Sequence, residues 1–242
     1  MHLIKVNAIN STNSFARELY REKPHLPLTC IVAKKQLQGR GQRGTVWDAE
    51  EGKNLTFSVF LPKPQFPPSH QFLLSAAVAV SLVNSLKNFD LPNVKVKWPN
   101  DILSANKKIA GILIENILSE GKVAGSIIGV GLNVNQENFV NLPQAGSMKT
   151  LAKQEYDPGL VLDTILKDME KAFQDLSEEK TNDILTSYQD LLFRRNIPST
   201  FELPRGDLFT GMITGVTPQG KLLVKDEEEL KEFDLKEIRL CY

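Results

Sequence analysis

The chain has 242 residues, 41% of them hydrophobic and 24% charged, which is enough for one large folded domain with a small appendage. Because 29 Lys and Arg residues balance 29 Asp and Glu residues, no overall charge draws the chain to nucleic acid or to an anionic membrane. Two isolated cysteines, the lack of a signal-peptide pattern and the lack of an uninterrupted bilayer-length apolar stretch predict a cytoplasmic protein with one buried thiol, Cys30, and one tail thiol, Cys241.

The first half of the chain is predicted to contain two helices and two strands. The polar residues Ser11, Thr12 and Asn13 suit the start of a helix that carries Phe15 and Leu19 on one side. Strands are predicted at 29–34 and 54–61, an irregular proline-rich connection at 62–68, and a buried helix at 69–89.

The second half is predicted to change from mixed structure to short strands. A strand at 94–98 ends at Pro99, β-rich runs at 109–118 and 123–134 are joined by a hairpin turn at 119–122, and helices follow at 158–179 and 182–194. Short β-like runs are then predicted at 200–203, 208–216 and 222–224, followed by a solvated acidic turn at 226–229. We therefore predict two domains, 1–195 and 196–242, the second a small β-barrel that leans on the first because it is too short to fold alone.

A glycine- and arginine-rich loop, residues 39–44, follows the first of these predicted strands. Closely spaced glycines let backbone N–H groups approach an anion, and Arg40 and Arg43 add donors suited to phosphate or carboxylate. The loop is not a Walker loop, because no Gly-Lys-Ser/Thr follows at the required spacing, and it opens no clear helix as a dinucleotide-binding loop would. A mobile basic surface loop would have the same pattern.

Polar residues lie at the ends of two apolar strands. Asn100 and Asp101 follow the strand that ends at Pro99, in the position where polar groups usually meet ligands. Lys108 precedes an apolar run and can place its ammonium in a half-buried pocket, while Gly111 indicates close approach of a ligand or another backbone. A turn beside a buried tryptophan and a solvated pair of lysines are the alternative interpretations.

Two glycines at 129 and 131 lie on one face of a predicted strand. Their lack of side chains leaves room for something flat, and Asn133 would face the same side with a donor and an acceptor. A bulged strand is the alternative interpretation.

In this order the segments resemble the biotin protein ligase family. The match comprises residues 10–13, the strand ending at Gln36, residues 39–44 with Trp47, and residues 97–101, 108–115 and 129–133. It covers the main domain nearly end to end, and the C-terminal segment resembles that family's small SH3-like barrel. The resemblance implies an α+β fold with a mixed, largely antiparallel central sheet and flanking helices, similar to class II synthetases.

The resemblance implies roles for residues at the biotin end of the site. Ser11, Thr12 and Gln36 match positions that hold the ureido ring of biotin, and Arg40 belongs to the loop that closes over the biotin carboxylate and the adenylate phosphate. Lys108 matches the lysine at the carboxylate and the α-phosphate, so Lys108 and Arg40 are the expected catalytic residues. The implied biotin-binding residues are Ser11, Thr12, Asn13, Gln36, Gly39, Arg40, Gly41, Gln42, Lys108 and Gly111.

The nucleotide end of the site is implied in the same way. Trp47 matches the aromatic residue that shelters the adenine, and Arg43, Asn100 and Asn133 fall in segments that line the nucleotide pocket. Asp101 is the candidate to receive the ammonium of the incoming lysine.

The implied activity is attachment of biotin to a lysine of a biotin carboxyl carrier protein, with ATP and Mg²⁺ and through biotinoyl-adenylate. Because the chain starts almost directly at Ser11, no DNA-binding segment is expected; a monomer or a homodimer is expected, without membrane binding. Gln42 stands where the family's loop commonly has a second basic residue, and Thr45 also replaces a position that is often basic. A lipoate ligase or transferase, a nucleic-acid-binding regulator and a ligand sensor without catalysis are the alternatives.

Overall fold

The computed structural model describes residues 1–64, 70–177 and 179–242, and at Arg43 the backbone alone. The larger sheet contains β1 (His2–Ile9), β2 (Thr29–Gln36), β3 (Leu55–Pro62), β4 (Lys95–Lys97), β5 (Asp101–Ser104), β6 (Lys107–Ser119) and β7 (Lys122–Leu132). Its strand order is β1-β2-β3-β7-β6-β5-β4. The β1–β2 pair is parallel and the other neighbours are antiparallel, so the predicted mixed, largely antiparallel sheet is confirmed.

Helices cover both faces of this sheet. They are α1 (Thr12–Glu22), α2 (Gln71–Leu86), α3 (Met148–Ala152), α4 (Pro158–Gln174) and α5 (Thr181–Asp190). Cys30 points into the core that holds α2, α4 and α5, whereas its neighbour Ile31 packs with Ala16 of α1. Successive strand residues point to opposite faces, so α1 lies on one face of the sheet and α2, α4 and α5 lie on the opposite face. Burial raises the pKa of the Cys30 thiol to about 12, as expected for the buried cysteine.

Helix α2 is the central core helix. Together with the turn that follows it, residues Gln71–Phe89 are long and apolar enough to cross a bilayer by length and composition alone, so the expected lack of a bilayer-length apolar stretch is not met by that measure. Buried positions make up 67% of the stretch, because α2 packs against both α4 and α5. Such burial is typical of a core helix in a folded domain.

The C-terminal strands form a second, smaller sheet. Its members are β8 (Pro198–Glu202), β9 (Leu208–Val216), β10 (Leu222–Lys225), β11 (Leu230–Phe233) and β12 (Arg239–Cys241), in the order β11-β10-β9-β8-β12. The strands as paired form an open sheet with β11 and β12 at its edges, and closure into a barrel stays a prediction. Phe201 and Val224 belong to the same continuous core as α2, and the Trp98 indole donates a hydrogen bond of 2.8 Å to the Gly220 carbonyl. The two sheets are therefore packed together.

The predicted helices and strands match the structure in their central residues and differ from it mainly at their ends. The hairpin turn between β6 and β7 is confirmed, with positive φ angles at Glu120 (51°) and Gly121 (73°). Strands β1, β5, β11 and β12 and the short helix α3 were not predicted, because all are short or lie at a sheet edge where polar residues are tolerated. The predicted connection at 62–68 and the predicted start of α2 at Ser69 lie partly outside the described residues.

Candidate active site

A cavity of about 590 Å³ lies on the α1 side of the larger sheet. Its wall brings together thirteen of the residues to which the resemblance assigns a role in the site: Ser11, Thr12, Asn13, Gln36, Arg40, Gly41, Gln42, Trp47, Asn100, Asp101, Lys108, Gly111 and Asn133. Segments that are far apart along the chain thus meet at one concavity, which is the usual form of a small-molecule site.

Small residues on the sheet make the space for this cavity. The register aligns Ser58 of β3 with Gly129 of β7, and Gly131 of β7 with Gly111 of β6. Under α1 the same sheet face carries Phe60 and Ile127 instead. The face is therefore filled by large side chains beneath the helix and left open beside it.

The predicted flat group over the two glycines turns out to be the protein's own side chains. A Cβ at Gly129 would collide with the amide of Asn13, and a Cβ at Gly131 would collide with the indole of Trp47. The Trp47 Nε1 is buried and has no hydrogen-bond partner in the part of the chain that the structure describes. A buried unpaired donor is costly, so a ligand acceptor or a movement of the indole would stabilise this end of the cavity.

A triad of charged side chains, Lys97, Asp101 and Lys108, also lines the cavity. The Lys108 ammonium is 2.6 Å from Asp101 Oδ1, and the Lys97 ammonium is 3.8 Å from Asp101 Oδ2. Burial lowers the pKa of Lys97, the Asp101 carboxylate raises it, and Lys108 lowers it further. Lys108 Nζ also lies 5.7 Å from the centre of the Trp47 ring. In this structure Asp101 is thus already paired with two ammonium groups.

A polar network forms the end of the cavity next to α1. The Thr12 backbone N–H donates to Gln36 Oε1 at 2.8 Å, and Ser58 Oγ lies 2.7 Å from Thr12 Oγ1 and 2.6 Å from Asn13 Oδ1. Asn13 Nδ2 donates to Glu115 Oε2 at 2.7 Å. Ser11 is the N-cap residue of α1, but its side chain makes no capping hydrogen bond, contrary to the expected cap.

The glycine- and arginine-rich loop folds over the first turn of α1. Arg40 donates a hydrogen bond of 2.7 Å to Ser14 Oγ, and a turn of 3-10 helix spans Gln42–Gly44. At Gly39, the first residue of the loop, a Cβ would collide with the Trp47 carbonyl oxygen. The side chain of Arg43 lies outside the described residues.

The two asparagines predicted for the nucleotide pocket are held by the main chain. Asn100 Nδ2 donates to the Ile112 carbonyl and Asn133 Nδ2 to the Gly146 carbonyl, each at 2.9 Å. The segment just before Gly146 is hydrogen-bonded to the start of β6, because the Lys108 N–H donates to the Gln144 carbonyl at 2.7 Å. Both asparagines therefore shape the cavity by fixing its backbone.

Several cavity residues were missed in the sequence. Lys97, Tyr242 and the lining residues between Phe139 and Ala145 belong to the cavity wall, and Ser58 and Glu115 belong to the hydrogen-bond network behind Asn13. Lys97 and Glu115 stand in segments already singled out and could have been found there. Tyr242, whose ring lies 5.6 Å from the Lys97 ammonium, follows the last strand of the C-terminal sheet, and no local pattern connects it to the site.

The sequence model of the Biotin/lipoate A/B protein ligase family matches residues 6–133, and the chain belongs to this family. The matched range contains every cavity segment named above except those that follow Asn133.

Two curated relatives and one solved structure show what the whole chain is similar to. The bifunctional ligase/repressor BirA of Bacillus spizizenii is 30% identical over 244 residues, which cover 99% of this chain and 74% of the relative. The biotin–[acetyl-CoA-carboxylase] ligase of Mycobacterium tuberculosis is 28% identical over 196 residues, 79% of this chain and 71% of that protein. The biotin protein ligase of Aquifex aeolicus, solved with biotin and ATP, superposes with a TM-score of 0.81 at 26% identity, covering 99% of this chain and 98% of its own.

Proposed function

We propose that the chain is an ATP-dependent biotin–protein ligase that forms biotinoyl-5′-AMP and transfers biotin to a lysine of a biotin carboxyl carrier protein. The observation that carries this proposal is one cavity that combines the hydrogen-bonding network next to α1 with the ammonium of Lys108. Biotin has the matching polarity, with a ureido ring at one end and a carboxylate at the other.

The first half-reaction activates the carboxylate. A biotin carboxylate oxygen attacks the α-phosphorus of ATP, the bond to the β-phosphate oxygen breaks, and pyrophosphate leaves. Lys108 stabilises the negative charge that gathers at the α-phosphate, and Arg40 does so after exchanging its contact with Ser14 for the ligand. Lys97 supplies a second half-buried positive charge beside Lys108.

The nucleotide occupies the side of the cavity nearest Trp47. Arg43, Trp47, Asn100 and Asn133 are the residues we assign to it, with the indole sheltering the adenine. The cavity is lined by two carboxylates, Asp48 and Asp101, and the described residues contain no cluster of three or more metal-ligating side chains. This suits Mg²⁺, which is commonly held by one or two carboxylates together with substrate phosphates. When bound it would neutralise phosphate charge.

The second half-reaction transfers biotin to the acceptor. The neutral lysine amine attacks the carbonyl carbon of biotinoyl-AMP, a C–N bond forms, the C–O bond to the phosphate breaks, AMP leaves, and the amine proton is released to solvent. Asp101 is placed to receive the incoming ammonium once Lys108 has moved from it to the phosphate. The loop at residues 39–44 shields the adenylate from water until the acceptor arrives.

The remaining assignments are also part of the proposal. We divide the chain into a catalytic domain, 1–195, and a C-terminal unit, 196–242, that acts as an SH3-like barrel. Two free cysteines, one of them deeply buried, suit the reducing cytoplasm.

Transfer to a carrier domain tests the proposal directly. The full chain with Mg-ATP and biotin should add one biotin to the carrier, detected as a mass shift, and no shift should occur when the carrier lysine is replaced by arginine. Labelling with lipoate at an equal rate would identify a lipoate ligase instead.

A further inference from the structure

We propose that Glu115 is a positioning residue that fixes the hydrogen-bond polarity of the cavity wall and thereby selects a ring with N–H donors. This rests on the proposed function, because it assigns the wall at Thr12 to the ureido ring of biotin. Glu115 acts through Asn13 and Ser58, neither of which was expected from the sequence to connect to it.

The orientation of Asn13 follows from its partner. A carboxylate only accepts hydrogen bonds, and Glu115 Oε2 lies 2.7 Å from one end of the Asn13 amide. That end must therefore be the NH₂ group, which also lies 3.4 Å from the Leu113 carbonyl oxygen. Arg17 lies 3.4 Å from the other Glu115 oxygen in a partly exposed ion pair, which does not change the fact that the carboxylate can only accept. Asn13 is 3% exposed, so water cannot replace these partners.

The orientation of Ser58 follows from that of Asn13. With its NH₂ group on Glu115, Asn13 presents Oδ1 to Ser58 Oγ at 2.6 Å, and this oxygen only accepts. Ser58 is fully buried and has one proton, so that proton goes to Asn13. The contact between Ser58 Oγ and Thr12 Oγ1, at 2.7 Å, must then be donated by Thr12.

Glu115, Asn13, Ser58 and Thr12 thus form a chain of hydrogen bonds, which we call the relay. Thr12 is its last member and lines the cavity, where a ligand can contact it. Its proton points to Ser58, so its remaining lone pair makes the hydroxyl an acceptor toward the cavity. The longer contact of 3.2 Å to Gln36 Oε1 needs no proton from Thr12, because the Thr12 backbone N–H already satisfies that oxygen at 2.8 Å. An acceptor at this point binds an N–H of a ureido ring and offers nothing to a ring without donors, such as the dithiolane of lipoate.

A glutamine at position 115 removes the constraint. An amide both donates and accepts, so Asn13 can turn over, and Ser58 and Thr12 can reverse with it. The Glu115→Gln variant should bind biotin about ten-fold more weakly. In a fraction of the molecules the Thr12 hydroxyl then points its proton into the cavity, where it meets an N–H of biotin. Desthiobiotin, which keeps both N–H groups, should lose the same factor, whereas affinity for ATP and for lipoate should not change.

A compensating pair of substitutions makes the test specific. Asn13→Asp alone places two carboxylates against each other and should weaken biotin binding more than Glu115→Gln. In the variant that carries both substitutions, the new carboxylate at position 13 accepts from Ser58 and from the new amide at position 115, so the polarity at Thr12 is restored. Biotin affinity should return to within about three-fold of wild type, as expected when donor and acceptor are exchanged within one pair.

Arg17→Met is the matched control. It removes the ion-pair partner and leaves the accepting carboxylate, so biotin affinity should stay within about two-fold, as for other partly exposed ion pairs. All variants are compared by isothermal titration of the full chain with biotin, desthiobiotin, lipoate and ATP, with thermal unfolding recorded alongside.

The possible results distinguish failure of the proposed function from failure of the relay. Absence of biotin binding by the wild-type chain would overturn the proposed function. With the wild type binding, unchanged affinity in Glu115→Gln, no recovery in the double variant, or an equal loss in Arg17→Met would overturn the relay. Recovery of biotin affinity with ATP affinity constant throughout would support it.

Discussion

The indole of Trp47 rests against Gly131, in space that any side chain at that position would fill. A methyl group there would collide with the fused ring system, so Gly131→Ala should displace the indole and turn its buried Nε1 toward solvent. We expect a red shift of tryptophan emission and roughly ten-fold weaker ATP binding, in line with loss of a ring-stacking surface.

Gly111→Ala is the control for this change. A Cβ at Gly111 would lie 3.3 Å from Trp47 Cζ3, a contact that a small shift relieves. Emission identical to wild type in Gly131→Ala would show that the indole does not depend on the glycine.

How much of the site could be read from the sequence depends on how local its parts are. Lys108 and Asp101 were identified because each lies in a short motif at the end of an apolar strand, where residue type and position carry the information. The relay through Ser58 was not, because its members lie on α1, β3 and β6 and meet only through the register that aligns Ser58 with Gly129. Tyr242 was missed for the same reason, since its position depends on how the C-terminal sheet packs.

The same distinction between local patterns and tertiary contacts applies to the helices and strands. Helix α2 and the β6–β7 hairpin were predicted from long apolar runs and a turn signal, whereas edge strand β1 was missed although Ile4 to Asn7 alternate apolar and polar as half-buried strands do. The pairing of β1 with β2 is a tertiary contact that the sequence does not show. It places the end of β2, and with it Gln36, next to α1.

Removal of the Lys108 ammonium should damage adenylate formation most. Lys108→Ala is expected to lower the rate of biotin-dependent pyrophosphate exchange by on the order of 100-fold, the usual cost of losing a donor placed where charge develops. Stopped-flow or radiolabel exchange measures it.

The neighbouring Lys107→Ala serves as the control. Lys107 is exposed and contacts the Pro143 carbonyl, so its loss should change the exchange rate only a few-fold. Equal rates in the two variants would remove Lys108 from the chemistry.

Asp101→Asn should shift the pH dependence of exchange. Burial lowers the pKa of Lys97 and the Asp101 carboxylate raises it, so loss of that carboxylate lowers the pKa further. If the Lys97 ammonium binds phosphate, the alkaline limb of the exchange rate moves to lower pH. Asp48→Asn, the other carboxylate that lines the cavity, should leave the limb in place, and coincident limbs in both variants would contradict the assignment.

Gln42→Arg should retain biotinoyl-adenylate longer. A neutral hydrogen bond contributes roughly 0.5–1.5 kcal/mol and a charge-assisted one roughly 1.5–3 kcal/mol, so a gain of about 1 kcal/mol corresponds to roughly five-fold slower release. Gln42 lines the cavity, and biotin affinity should change little. Identical release rates of radiolabelled adenylate would show that position 42 does not face the phosphate.

The central claim is that this chain activates biotin with ATP in the cavity beside Lys108. Biotin-dependent exchange of labelled pyrophosphate into ATP measures that step alone, without an acceptor protein. We predict exchange that requires biotin and Mg²⁺, that lipoate does not support, and that falls on the order of 100-fold in Lys108→Ala. Exchange that is absent with biotin, or equally rapid with lipoate, would contradict the account.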